Sequence, residues 1–480
     1  MNRAISRMFL VGVVLFAALV ANLTWIQVFH AKALFDKPQN QRRIAEDMKI
    51  KRGRILAFDG TTIAGSVRRS GYYYRTYPSG SLAPHIVGYE SVRLGLTGIE
   101  ATMDDYLTGR AGGLGVQPFI DRLLGRRPTG ADVKLTIVPE VQRAAQAALV
   151  GKTGAIVALD PLTGAVIASA SAPTYNLGDV EDRWRRLRSD PSAPLLDRAT
   201  QGLYPPGSSL KVVTAAAGLD TGKVTPTTVF NDTGTYVIYG GKVTNYHGEV
   251  FGTNTFTQAL TSSINTTFGK VGDLVGRAGL VGYMQHFGFW AVPPIEQPAG
   301  SVLASGRYDG GTLLSPDAKM DPLAVAWAAV GQEKVLATPL QMALVAAGVA
   351  NGGRVMKPFL VQQVISPSGK VVKQTSPALW QTAMSPATAA TLNTMMQQVV
   401  NAPGGTGTAA ALPGVKVAGK TGTAERGTTN MAWFIAFAPA DAPRVAVAVA
   451  VENTLSTGGE EAAPLAAQVL KVALAQAQLP

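Results

Sequence analysis

Tyr204-Pro205-Pro206-Gly207-Ser208-Ser209-Leu210-Lys211 breaks regular structure and then restarts it. Two prolines and a glycine cannot extend a helix or strand, whereas residues 210–219 (LKVVTAAAGL) are apolar and helix-compatible, so a helix N-terminus is expected close to Ser208. Lys211 then falls on the same face one turn later, near enough for its amine to meet the Ser208 hydroxyl. A serine hydroxyl is inert near neutral pH unless a base takes its proton, and a lysine with a pKa of roughly 10.4 is ordinarily protonated. Burial in the apolar run and a second lysine nearby would both depress that pKa. Taken alone, Ser-x-x-Lys is met more often as a capping serine and a surface lysine, but the chain contains no second Ser-x-x-Lys.

Working outward, residues 154–172 hold two apolar runs around Asp160-Pro161-Leu162-Thr163-Gly164, a hairpin signal. A second hairpin is expected where AWFIAFA (432–438) and RVAVAVAV (444–451) flank Pro439-Ala440-Asp441-Ala442-Pro443. A short strand and a helix from about Pro139 precede the first hairpin, and an alanine- and leucine-rich helix over about 460–478 comes after the second. Strands thus come from both ends of residues 131–480, with mostly helical text between them, which predicts an α+β domain with one antiparallel sheet closed by both ends.

Two further segments belong with Ser208. Ser263-Ile264-Asn265 is the chain's only Ser-x-Asn, a hydroxyl able to relay a proton and an amide able to hold both a carbonyl and a lysine. Residues 415–423 (VKVAGKTGT) alternate like a strand and then turn glycine-rich; Lys420 would supply a charge for a carboxylate, and Gly422 room for an extended peptide. Two look-alikes are set aside. Lys152-Thr153-Gly154 precedes the serine and opens a strand. Residues 414–421 satisfy the phosphate-loop expression, but Val-Lys-Val-Ala is strand-like and no helix signal comes after the lysine.

Composition excludes other chemistries. With no cysteine there is no disulfide, thiol catalysis or cysteine-ligated metal, and four scattered histidines offer neither HExxH nor a Gly-x-Ser-x-Gly elbow. Neither cofactor nor metal is implied. Residues 8–29 are 22 uncharged residues, long enough to cross a bilayer; a cleaved signal peptide would have a shorter apolar region, roughly 7 to 15 residues, and a clearer small-residue site. Arg3 and Arg7 place the tail 1–7 in the cytoplasm and the chain beyond residue 30 outside, and a tail of seven residues holds no module to receive a signal. The basic excess, 18 Lys and Arg against 9 Asp and Glu through Gly130, is read as a membrane-facing or solvated surface rather than a nucleic-acid site, because no binding motif accompanies it. Residues 30–130 then read as a pedestal with short strands such as 72–77, ending in a linker near 125–130.

Ser-x-x-Lys, Ser-x-Asn and Lys-Thr-Gly, in that order at Ser208, Ser263 and Lys420, form the signature of penicillin-binding proteins and β-lactamases. With Arg52-Gly53-Arg54-Ile55, Gly95-Leu96-Thr97-Gly98-Ile99-Glu100 and Asp197-Arg198-Ala199, the chain resembles a class B penicillin-binding protein from residue 8 onward, most like the small division-associated members of actinobacteria. The resemblance implies a penicillin-binding, serine β-lactamase-like α+β domain (131–480), its antiparallel sheet covered by helices on both faces, above a dimerisation-type pedestal (30–130). It implies a D,D-transpeptidase that cross-links peptidoglycan stem peptides ending in D-Ala-D-Ala, is acylated by β-lactams, and works with a membrane glycosyltransferase. Ser208 would be the nucleophile, Lys211 the base, Ser263 the relay and Lys420 the carboxylate-binding cation. Asn265, Thr421, Gly422 and Thr423 would bind substrate, with the backbone N–H groups of Ser208 and Thr423 as oxyanion hole. A carboxypeptidase or a β-lactamase would use the same serine with water, and a non-enzymatic sensor or scaffold would keep only the fold; no Glu-x-x-Leu-Asn stands after Ser208, which speaks against a β-lactamase.

Overall fold

In a computed structural model, residues 2–30, 47–111 and 129–480 are described. The N-terminal helix Asn2–Thr24 runs on through a π-helical turn, Trp25–Phe29. Its 25-residue apolar stretch Arg3–Gln27 is not buried by any other described residue, and at 1.5 Å per residue it is about 37 Å long, enough to cross a hydrocarbon core of about 30 Å. Length and composition are those of a membrane span.

The sheet expected from the two hairpins is present. Its five strands lie in the order Ala418–Arg426, Thr429–Ala438, Val445–Thr454, Gly154–Leu159, Val166–Ala172, all antiparallel, with Thr423 opposite Ala432 and Val449 opposite Ile156. Helices cover both faces, so the inner strands are apolar in unbroken runs, residues 154–159, 431–438 and 445–451, rather than at alternate positions. Ala155, Val157, Trp433, Ile435 and Phe437 join the core shared with the helices Lys211–Asp220 and Pro339–Ala350. Ile156, Ala158, Phe434, Val447 and Val449 pack on the other side against Pro139–Ala148 and Ala463–Leu474. The last helix is entered through a capping box, Thr457 and Glu460, which satisfies the orphan N–H groups at its start.

Between the hairpins the chain is less helical than its text. Val229–Asp232 pairs with Gly252–Thr255, and Thr235–Ile238 with Gly241–Thr244. These four-residue strands are largely exposed and polar on one face, too short to carry a period-2 signal.

A second sheet crosses the expected boundary at residue 130. Its order is Val371–Gln374, Val361–Ile365, Asp132–Leu135, Ile55–Leu56, Thr62–Arg69, Tyr72–Thr76. Val133 lies opposite Ile55 in a parallel pair and opposite Val364 in an antiparallel one, so one strand belongs to both regions. The chain enters and leaves the pedestal side by side, with Gly130 N–H donating to Lys51 O at 2.9 Å and Gly53 N–H to Leu107 O at 2.8 Å. Within the pedestal, the buried Arg52 guanidinium pairs with Glu100 (2.8 Å) and Asp104, and Arg75 with the other oxygen of Glu100 (2.6 Å). The linker expected at 125–130 falls outside the described residues except for Thr129 and Gly130, which are paired with Lys51.

Candidate active site

The Pro-Pro-Gly break does end one path and begin another, but the helix opens with a tighter turn than expected. Gly207–Leu210 is 3₁₀ and Lys211 is the first residue of the α-helix Lys211–Asp220. The turn is clamped from three sides. Gly207 N–H donates to Gly331 O (3.0 Å), Trp433 Nε1 on the central sheet donates to Pro205 O (2.9 Å), and Tyr204 exchanges backbone hydrogen bonds with Ala337. Beneath it, Tyr204 Oη donates to Glu452 Oε1 (2.7 Å), which also receives Arg198 Nε (2.8 Å).

All three motifs converge on one cleft of about 760 Å³ lined by Ser208, Ser263, Asn265, Thr421 and Thr423. Lys211 and Lys420 lie just beneath, each 0 % exposed. Lys211 Nζ contacts Ser263 O (2.6 Å), Asn265 Oδ1 (2.7 Å) and Ser263 Oγ (3.2 Å). Lys420 Nζ contacts Ser263 Oγ (2.9 Å), Thr421 O (3.0 Å) and Thr421 Oγ1 (3.3 Å). Burial, and then the charge of Lys420, hold the Lys211 amine well below its ordinary pKa; burial pulls Lys420 down to about 7. The hydrogen bonds agree with a neutral Lys211. A neutral amine has two N–H groups and one lone pair, matching two oxygen acceptors that cannot donate and one hydroxyl that can.

Here the structure departs from the expectation drawn from spacing. Lys211 does not hydrogen-bond to Ser208, whose hydroxyl has no partner among the described residues. The lysine is drawn instead to Ser263 and Asn265, because a buried amine left with unpaired N–H groups would carry a desolvation penalty of about 1–3 kcal/mol. Ser263 reaches it from a left-handed backbone (φ 60°) just ahead of the helix Asn265–His286, and Asn265 is steadied by its own Nδ2 bond to Thr244 O (2.9 Å).

The Lys-Thr-Gly segment lies on the edge strand Ala418–Arg426, alongside the serine turn. Thr423 O lies 2.6 Å from where a Cβ on Gly207 would stand, so the backbone of Thr423 faces the turn directly. Gly422 and the loop after the third strand are equally close, and Gly458 N–H donates to Thr423 Oγ1 (3.1 Å). Because this segment continues as strand to Arg426, it is not a phosphate loop. The other Lys-Thr-Gly is remote in role, with Lys152 paired to Glu461. Three participants escaped sequence reasoning. Thr406, with its hydroxyl 2.7 Å from Thr421 Oγ1, and Gly331 carry no motif, whereas Glu452 was visible as the lone acid ending an alanine-valine run.

Comparison with known proteins agrees with this geometry. The penicillin binding protein transpeptidase domain family matches residues 154–471, and the penicillin binding protein A dimerisation domain family matches 52–133. The peptidoglycan D,D-transpeptidase PbpA of Mycolicibacterium smegmatis is 36% identical over 99% of both chains. Penicillin-binding protein A of Mycobacterium tuberculosis, solved as a ceftriaxone acyl-enzyme complex, superimposes with TM-score 0.81 at 34% identity, over 89% of this chain and 99% of that one. A D,D-transpeptidase domain from Eggerthella lenta gives 0.79 at 38% identity, over 89% and 98%.

Proposed function

The chain belongs to the penicillin-binding protein transpeptidase family, and on that premise we propose that it is a peptidoglycan D,D-transpeptidase whose nucleophile is Ser208. The observation that carries the assignment is the convergence of Lys211, Lys420 and Ser263 beside Ser208, which lines the same cleft.

Ser208 Oγ attacks the carbonyl carbon between the two terminal D-alanines. Its proton passes to the neutral Lys211, and Ser263 relays a proton to the departing amine, so that D-alanine leaves and the remaining peptide is esterified to Ser208. The hydroxyl of Ser263 bridges the two amines, which gives the relay a continuous path. Protonated Lys420, with Thr421 and Thr423, holds the terminal carboxylate, Gly422 leaves space for the peptide backbone, and Asn265 holds the side-chain amide of the donor. The backbone N–H groups of Ser208 and Thr423 take the oxyanion; losing one such donor typically costs about 10²- to 10³-fold in rate. An acceptor amine then displaces Ser208 and forms the cross-link. β-Lactams acylate the same serine because they present the same amide-and-carboxylate pair.

Arg3 and Arg7 ahead of the apolar helix favour a cytoplasmic N-terminus and a catalytic domain outside the membrane. A membrane glycosyltransferase is the partner we infer, since cross-linking needs nascent glycan strands and residues 30–130 are too few for a glycosyltransferase domain. Labelling with a fluorescent penicillin tests the core of this reading. Wild type should label and Ser208→Ala should not; an unlabelled wild type, or a labelled Ser208→Ala, overturns it.

A further inference from the structure

A groove of about 420 Å³ runs beside the catalytic cleft and joins it, with Phe251 and Ser262 lining both. Its outer walls are the helix Phe256–Thr261 and the end of the helix Pro386–Asn401 with Ala402 and Pro403. Every side chain lining the groove is uncharged, whereas the cleft itself is lined by Glu249 and Glu425. Thr253 and Gln398 face it as exposed residues whose side chains make no hydrogen bond among the described residues.

The groove opens on a particular side of the nucleophile. Thr406 N–H donates to Thr261 O on the groove wall (3.4 Å), while its hydroxyl lies 2.7 Å from Thr421 Oγ1. Thr421 belongs to the seat of the carboxylate of the leaving D-alanine. Microscopic reversibility requires the incoming amine to approach along the path by which the D-alanine amine left. The acceptor must therefore arrive from the groove side.

Resting on the transpeptidase reading, we propose that this groove seats the acceptor strand, holding an uncharged, amide- and hydroxyl-rich stretch of the acceptor muropeptide. Its free amine then enters over the Ser208 ester. The amine nitrogen bonds to the acyl carbon, the bond from that carbon to Ser208 Oγ breaks, and the amine proton returns through Ser263 and Lys211 to Ser208. A new amide and a free serine result. Neutral donors and acceptors match amide and hydroxyl groups without selecting a charge, and the volume lies within the ~300–1,000 Å³ of ordinary ligand sites.

The test is the partition of the acyl-enzyme between amine and water. Full-length Thr253→Ala, Gln398→Ala and the double variant are supplied with a disaccharide-pentapeptide as both donor and acceptor. Fluorescent-penicillin acylation and D-alanine release should stay within about twofold of wild type. The ratio of cross-linked to hydrolysed product should fall about tenfold in the double variant, the loss of two ordinary hydrogen bonds. An unchanged ratio, or cross-linking and hydrolysis falling together, overturns the proposal. Failure of wild type to label with penicillin would instead overturn the reading on which it rests.

Discussion

Lys211 and Lys420 converge on one hydroxyl, with Ser263 Oγ 3.2 Å from the first amine and 2.9 Å from the second. Two buried ammonium groups so close repel strongly, and both amines are already depressed by loss of water. The arrangement therefore favours a single proton on the pair, held by Lys420, whose contacts include three oxygens able to accept.

Acylation should show a bell-shaped pH profile. On the acid side activity disappears as Lys211 gains a proton; on the alkaline side it declines as Lys420, near 7, loses the charge that holds a carboxylate. In Lys420→Ala the cationic neighbour is gone, so the Lys211 pKa rises and the acid limb moves to higher pH. Second-order acylation rates for a penicillin between pH 5 and 9 would show this, and an unmoved limb would place the base elsewhere.

Folding stability should carry the signature of a buried lysine. Lys420 has a folded pKa of about 7 and an ordinary value of 10.5, so between those pH values the unfolded chain binds a proton that the folded chain does not. Stability from this residue thus rises as pH goes from about 7 toward 10.5 and is lost as pH falls back. Differential melting of wild type and Lys420→Met should reveal the slope, with Lys420→Met the flatter and, at pH 7, the more stable of the two.

Gly331→Ala should disable the serine turn. Its φ is +84°, and a Cβ there would stand 1.9 Å from the carbonyl oxygen of Gly207, the residue before Ser208. The three nearest atoms all belong to the Gly207 backbone, so the backbone must shift, at a cost of about 1–3 kcal/mol for strain alone. Penicillin acylation should slow more than tenfold while the far-UV spectrum stays native; wild-type acylation would contradict the clamp.

Glu452→Ala should destabilise by about 3 kcal/mol or more, because Arg198 is 5 % exposed and would keep its charge without its partner. Glu452→Gln retains an oxygen for Tyr204 and should recover part of the loss. Thermal melts of the two variants separate the charge from the hydrogen bond.

Much of the fold was legible because burial writes itself as long apolar runs. The hairpins at 154–172 and 429–454 lie in a sheet covered on both faces, so neither face of these strands reads as a polar, solvent-facing one over the apolar runs. The three segments proposed to form the site were legible because each pairs a reactive side chain with the glycine, proline or turn residue that presents it. What stayed hidden depends on contacts between distant residues. Ile55–Leu56 has two residues and Asp132–Leu135 four, too few for any period, yet together with Val361–Ile365 they form the centre of a sheet. The Ser-x-Asn motif had already offered Ser263 and Asn265 as partners of Lys211, but spacing along a helix puts Ser208 near the amine and cannot tell that the lysine bonds to those two residues instead.

The strand Asp132–Leu135, hydrogen-bonded on one edge to the pedestal and on the other to the segment 361–365, removes the joint that two stacked domains would otherwise have. Swinging one against the other would mean tearing main-chain pairing along that strand.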